Sequence, residues 1–420
     1  MRLLYTILLS LATPFILLRL LWRSLQQKAY RQRIKERFAF YPPLKNKQSL
    51  WIHAVSIGET HAAFPLIKYL VQQYPQFNVL VTTTTPTGSA EILKQFGDQV
   101  LHYYTPYDLP FIINRFLKKM QPRLCIIMET ELWPNLLHYT HKKKIPILLA
   151  NARLSEKSFK GYQKIRGLMH SMMNCLTTVA AQSPEDGKRF LKLGLAQDKL
   201  LLSGNIKFDT NLPANLLENA QALRAHWQQR PTWIAASTHE GEEEIILNAH
   251  KKILGQFPNA LLILVPRHPE RFNKVANLCR ANFSLARRSE NQLPEDSTQI
   301  YLGDTMGELR LLYAASDVAF VGGSLVPIGG HNPIEPALLN LPIINGPHFH
   351  NFKMITTQIA QAGGLKIINN SEELANLVIL LLKKPELRQH YGENARKLCL
   401  SHSGALKLLC DWVERQLKKH

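Results

Sequence analysis

Cysteine is scarce here and scattered. Cys125, Cys175, Cys279, Cys399 and Cys410 form no CxxC pair. That argues against a structural metal site and for buried thiols in a reducing compartment. Acidic residues are in deficit: 31 Asp+Glu face 51 Lys+Arg, for a formal net charge of +20. Such an excess favours an anionic partner, whether nucleic acid, a phospholipid surface or a phosphorylated substrate. Nucleic acid is disfavoured, because no RRM-like aromatic motif, zinc finger or other nucleic-acid module occurs. A dinucleotide fingerprint, Walker spacing, a DxD-like metal pair and any short-period repeat are also missing. Disorder is excluded by 45% hydrophobic and 20% charged residues. The 420 residues suffice for two or three domains.

The N-terminus, "MRLLYTILLSLATPFILLRLLWR", is apolar from Leu3 to Leu18 and resumes at Leu20. No small-x-small cleavage site follows, as a secretory signal would require. Instead a basic flank begins, with Arg23, Lys28, Arg31, Arg33, Lys35 and Arg37. The apolar run is slightly short of the ~20 residues that span a bilayer, and Arg19 can snorkel to extend it. The expectation is an uncleaved anchor over 1–22, held by a basic juxtamembrane segment, 23–47, against anionic headgroups. The positive-inside rule then leaves the bulk of the chain in the cytosol.

Short apolar strands next alternate with amphipathic helices. "LWIHAVS", "NVLVTTTT", "RLCIIMET" and "IPILLANAR" read as strands, with "GETHAAFPLIKYLVQQYP", "TGSAEILKQFG" and "ELWPNLLHYTHKKK" as helices between them. The pattern restarts with "TWIAAST", "ALLILVPRHPER", "LARRS", "QIYLGD", "VAFVGGS" and "LPIINGP". Alternation of this kind predicts parallel sheets with crossover helices. The fold class is therefore α/β, with two Rossmann-like domains, 48–210 and 211–400, facing a central cleft. A linker is expected at "DTNLPANL" around Pro213, and a C-terminal helix over 401–420. Ligands of such sheets bind beyond the C-terminal strand ends, so the segments directly after strands matter most.

Polar clusters fall in those segments. Glu59 in "SIGETHA" starts a helix. A carboxylate there gains up to ~1 kcal/mol from the helix dipole, which also lowers its pKa, so cap and general base both remain open. Glu129 and Glu131 in "METELWP" follow an apolar strand; one can face the cleft while the other caps the next helix, and Glu129 is the better candidate for the cleft. The glycines of "GGSLVPIGGHNPIEP" let backbone N–H groups approach a phosphate ahead of His331, Asn332 and Glu335, and Glu335 can accept ribose hydroxyls. Arg267, His268 and Arg271 in "VPRHPER" suit an anionic group. Lys207 in "SGNIKFD" lies near the linker. Ser237 and Glu240 in "STHEGEEE" are weaker candidates. Carboxylates on one domain and phosphate-type donors on the other suggest transfer from a nucleotide-activated donor to a hydroxyl.

Taken in order behind a short anchor, "SIGE", "METELWPN", "SGNIKFD", "PRHPER" and "GGHNPIEP" closely resemble the 3-deoxy-D-manno-octulosonic acid (Kdo) transferases of lipopolysaccharide assembly. The resemblance covers nearly the whole chain. It implies a glycosyltransferase B-type fold and transfer of Kdo from CMP-Kdo to the tetraacyldisaccharide phosphate lipid A precursor (lipid IVA) at the cytoplasmic face of the inner membrane. It also implies Glu59 as general base, with Glu129 and Lys207 as transition-state stabilisers. Arg267, His268, Met306, Gly307, Glu308, Asn332, Pro333, Ile334 and Glu335 are implied as contacts to CMP. No cofactor or metal is expected, CMP-Kdo being the donor substrate, and a base opposite the leaving group implies inversion. Competing readings are a UDP-sugar-dependent transferase of the same fold, a non-catalytic protein that binds anionic lipid, and a hydrolase that releases CMP without an acceptor.

Overall fold

In the computed structural model, which describes every residue except 27, 43, 45–47, 210, 211, 229 and 420, strands and helices alternate as the apolar pattern predicts. The chain forms two compact units: Met1–Asp209 together with Ser403–His420, and Thr210–His402. Positions 210 and 211 of the expected linker lie outside the described residues.

The first unit holds β1 (Ser49–His53), β2 (Asn78–Thr83), β3 (Leu101–Tyr104), β4 (Pro122–Met128), β5 (Ile147–Ala152), β6 (Thr178–Ala181) and β7 (Leu200–Leu202). All pairings are parallel, in the order β3-β2-β1-β4-β5-β6-β7. Both faces of this sheet are covered, so its central strands read as near-continuous apolar runs rather than alternating ones. Leu50, Ile52, Leu124 and Ile126 pack with Leu66, Ile67 and Leu70 of the helix Ile57–Gln73. Trp51, Cys125 and Ile127 pack on the other face with Phe116, Leu136 and Leu137. The helix Ala405–Lys418 joins the first of these cores through Leu409, Trp412 and Val413. Its start is held by Asp209, whose carboxylate accepts from the N–H groups of Gly404 and Leu406.

The second unit repeats the plan with β8 (Thr232–Thr238), β9 (Leu261–Pro266), β10 (Leu285–Arg287), β11 (Ile300–Leu302), β12 (Val318–Val321), β13 (Ile343–Asn345) and β14 (Leu365–Ile367). These are again all parallel, in the order β10-β11-β9-β8-β12-β13-β14. Strand order reverses between β1 and β4 in one sheet and between β8 and β12 in the other. At such a switch point the flanking loops diverge to opposite faces and open a crevice.

The N-terminal helix runs Arg2–Gln26, longer than the apolar run implied. Its 25 residues extend ~37 Å at about 1.5 Å per residue, and Arg2–Leu25 is long and apolar enough to cross a membrane by length and composition. Its first turns dock on the first unit. Arg2 Nη1 donates to Asn135 Oδ1 at 3.0 Å and Tyr5 Oη donates to Asp108 Oδ2 at 3.0 Å. The basic flank is only partly a solvated face. Arg37 is buried, lies 4.4 Å from the Tyr104 ring centroid and donates to Thr84 O at 2.9 Å; Arg33 lies over the same ring and pairs with Glu36. Two of the six cations expected to meet headgroups are thus used inside the fold.

Candidate active site

Glu59 is reached from β1 through Ala54–Val55–Ser56. Ser56 is the N-cap of the helix Ile57–Gln73, and its Oγ accepts from Glu59 N at 3.4 Å. The same hydroxyl donates to Glu59 Oε1 at 2.7 Å, and Val55 N donates to Glu59 Oε2 at 2.8 Å. This is a reciprocal cap of the S-x-x-E kind, legible in "SIGE" itself. Capping does not depress the carboxyl as the helix dipole alone predicts. Glu59 is only 6% exposed, and burial raises its pKa from 4.5 to about 7, against the Ser56 and Val55 bonds and with the help of Glu131 and Glu129. Desolvation outweighs the dipole.

Glu129 directly follows β4 with φ +54°, a left-handed conformation uncommon outside glycine. Its carboxylate lies 4.0 Å from Arg153 Nε. Glu131 accepts from Trp133 Nε1 at 2.9 Å, and its pKa is raised by burial and by Glu129. Neither glutamate caps the next helix. That helix starts at Pro134 rather than Glu131, because the positive φ at Glu129 turns the chain first. Its cap is supplied from 27 residues away: Asp108 accepts from Asn135 N at 3.0 Å and Leu136 N at 2.6 Å. Glu59, Glu129 and Glu131 are therefore brought together across the β1/β4 switch point. Lys207 is carried by the turn Ile206–Phe208 beyond β7. That turn is tied back to β5, where Asn151 Oδ1 accepts from Ile206 N at 3.1 Å. Asn151 and Gln182 belong to no recognised motif, yet both are buried strand-end groups, and Asn151 Nδ2 and Gln182 Oε1 lack partners among the described residues.

In the second unit the glycine-rich loop after β12 spends several of its N–H groups within the protein. Glu242, fully buried, accepts from Gly323 N, Ser324 N and Leu325 N at 2.6–2.9 Å and from His239 N at 3.0 Å. Burial raises the Glu242 pKa against these four donors. Gly329 N and Gly330 N donate to Gly323 O, and Gly322 N to Ala236 O. The loop's N–H groups at these positions are thus committed internally. Glu242 was the missed residue, hidden inside the acidic run of "STHEGEEE". Of the weaker candidates in that motif, Ser237 is buried with φ +58° and Glu240 is exposed and paired with Lys274.

Arg267 and His268 follow β9 and are exposed. Arg271 is not a third free cation: it makes a bidentate pair with the buried Glu243, at 2.8 and 2.9 Å. Met306, Gly307 and Glu308 follow β11. Met306 is exposed, and Arg288 grips Glu308 at 2.7 and 3.1 Å, which lowers the Glu308 pKa. In "HNPIEP", Asn332 Oδ1 accepts from Ile334 N, and Pro333 precedes the short helix Ile334–Leu338. Glu335 Oε1 accepts from Arg310 Nε at 2.9 Å, which links this motif to the helix directly after Glu308. All of these candidates lie on the C-terminal edge of their sheet. His239, after β8, joins them: its ring meets His331 and His268.

Residues 32–210 match the family model described as 3-deoxy-D-manno-octulosonic-acid transferase (kdotransferase), and residues 239–398 match that of glycosyl transferases group 1. The chain is 46% identical over 427 residues to the 3-deoxy-D-manno-octulosonic acid transferase of Haemophilus influenzae, covering 100% of this chain and 99% of that one. It is 36% identical over 378 residues to the Bordetella pertussis protein of the same name, covering 87% and 86%. Among solved structures, a glycosyltransferase from Rickettsia africae superposes with a TM-score of 0.52 at 18% identity, covering 90% of this chain and 100% of that one. UDP-GlcNAc 2-epimerase from Neisseria meningitidis does so with 0.53 at 13%, covering 89% and 100%. At these identities the two structures show a shared fold.

Proposed function

Because the chain belongs to the 3-deoxy-D-manno-octulosonic acid transferase family, we propose that it moves Kdo from CMP-Kdo onto the tetraacyldisaccharide phosphate precursor of lipid A, with inversion, at the cytoplasmic face of the inner membrane. The observation that carries the reading is Glu59: a buried carboxyl at a switch point with its pKa raised to about 7. A general base works best when its pKa lies near operating pH. Each oxygen of this carboxylate accepts one bond from Ser56 or Val55 and retains a lone pair for a substrate proton.

In this mechanism Glu59 removes the proton from an acceptor sugar hydroxyl as that oxygen attacks the anomeric carbon of Kdo. The bond from that carbon to the phosphate oxygen breaks, and CMP departs with the electron pair. Glu129 and Lys207 stabilise the transition state. Arg267 and His268 meet the nucleotide's negative charge, and Met306, Gly307, Glu308 and Asn332–Glu335 complete the CMP site. Preorganised cationic donors of this sort stabilise charge that develops on a leaving group. The Arg2–Gln26 helix and the remaining exposed cations, such as Arg23, Arg31 and Lys35, suit an enzyme whose acceptor is an anionic lipid.

The test is to supply detergent-solubilised protein with CMP-Kdo, with and without the tetraacylated precursor, and to resolve the lipid products by mass. Wild type should yield Kdo-bearing lipid and Glu59→Gln should not, although it still binds CMP. CMP release without lipid product would replace transfer with hydrolysis. Activity with a UDP-sugar in place of CMP-Kdo would reassign the donor.

A further inference from the structure

The glycine-rich loop has committed the N–H groups of Gly322–Leu325, Gly329 and Gly330, so side chains gain importance for meeting a phosphate beside it. Two of these form an unusual unit. The rings of His239, after β8, and His331, after β12, are nearly parallel at 8°, with centroids 5.1 Å apart. Their Nε2 atoms are 2.8 Å apart. At that separation one Nε2 carries a hydrogen and the other does not, since two N–H groups or two lone pairs would repel. A neutral pair therefore presents one Nδ1–H and one Nδ1 lone pair on its outer sides. Among the described residues neither Nδ1 has a hydrogen-bond partner.

The surroundings are built to hold this pair. Gly323, at φ +65°, passes beneath it: a Cβ there would come within 3.0 Å of His331 and 3.4 Å of His239. Glu242 fixes the His239 backbone through its N–H. The titratable and charged groups facing the pair are Arg267 and His268 from the loop after β9, and the Arg271–Glu243 ion pair beside His239. Burial, together with Arg267 and His268, keeps the empty pair neutral, with His331 held at about 4 and His239 below its usual value.

We infer that the His239–His331 pair takes up one proton when a nucleoside monophosphate binds beside it, converting both outer Nδ1 atoms into donors while the Nε2–H···Nε2 bridge persists. The inference rests on the nucleotide reading above. The proton comes from solvent and adds to the Nδ1 that bore the lone pair; no bond to the nucleotide forms or breaks. A phosphate dianion offsets the imidazolium charge that Arg267 and burial otherwise forbid. The bound pair thus has a higher pKa than the empty one. Within that window affinity rises as pH falls, by about tenfold per pH unit for one linked proton.

The experiment is calorimetric titration of the full-length, detergent-solubilised protein with CMP near pH 7, in PIPES, HEPES and Tris. The slope of measured heat against buffer ionisation heat reads protons taken up. Wild type should give a slope near one, and both His239→Gln and His331→Gln a slope near zero. CMP binding without uptake in wild type would overturn the inference and leave the nucleotide reading standing. No CMP binding at all would remove both. Uptake that persists in both variants would place the proton elsewhere and overturn the inference. If a variant fails to fold, 15N-histidine spectra of wild type decide the matter: an imidazolium signal appearing only with CMP supports the inference, and unchanged signals overturn it.

Discussion

Ser56 Oγ donates to Glu59 Oε1 at 2.7 Å and accepts from Glu59 N–H at 3.4 Å, so one glutamate both closes the cap of its helix and keeps a raised carboxyl at the switch point of its sheet. Cap and base are compatible roles for this residue. The cap fixes the carboxyl in place, and burial raises its pKa.

Activity should therefore fall as pH drops through about 7, because Glu59 must be deprotonated to accept the hydroxyl proton. Glu59→Gln should lower kcat by roughly 10²–10⁴-fold, the usual worth of a positioned base. A pH–rate profile of kcat in detergent checks the first statement and single-turnover rates the second. A flat acid limb would reduce Glu59 to a cap.

The same shift has a stability consequence of known sign. Glu59's folded pKa lies above its ordinary value of 4.5, so the stability it contributes is full below that value and is lost as pH rises through about 7. Glu59→Gln resembles the protonated form. It should melt higher than wild type at pH 8, by an amount on the order of 1–3 kcal/mol, and lose that advantage by pH 5. Thermal melts at the two pH values are the check.

Arg267 and Arg271 sit four residues apart and should behave oppositely. Arg271→Ala leaves the buried Glu243 carboxylate without its bidentate partner and should destabilise the second unit by about 3–5 kcal/mol. Arg267 is exposed, so Arg267→Ala should change stability by no more than about 0.5 kcal/mol. It should weaken CMP binding by at least about tenfold, as loss of a charge-assisted contact does. Denaturant titration and CMP calorimetry on both variants separate the two roles.

Asp108 links the first turns of the apolar helix to the helix that follows the Glu129–Glu131 turn. In Asp108→Asn the amide can accept from only one of the two capped N–H groups and sets a donor against the other. The expected cost is about 1–3 kcal/mol, read as a lower melting temperature, with faster proteolysis near residues 1–26. Tyr5→Phe should reproduce the proteolysis and not the loss of the cap.

The central strands were legible because they are buried on both faces: "LWIH", "RLCIIM" and "LLILVP" are apolar runs that little else explains. β3, β7 and β14 were not legible because they are short edge strands that stay partly exposed, and β6 because its four residues, Thr178–Ala181, carry little apolar bulk. The strand-end positions of Glu59, Glu129, Arg267 and Asn332 followed from the apolar runs before them. Their motifs carried the family.

What the sequence determined by itself is what local chemistry dictates: an apolar N-terminal helix, two runs of alternating strand and helix, and a Ser–x–x–Glu cap. Tertiary structure alone decided which groups meet. Asp108 caps a helix 27 residues away, and Glu242 closes a glycine loop some 80 residues on. His239 touches His331 across 92 residues, and the Glu129–Glu131 turn helps raise Glu59. Periodicity reports only whether a residue is buried. Hydrogen-bond partners and desolvation depend on which strand ends the sheet order sets side by side, and that order is written in no single segment.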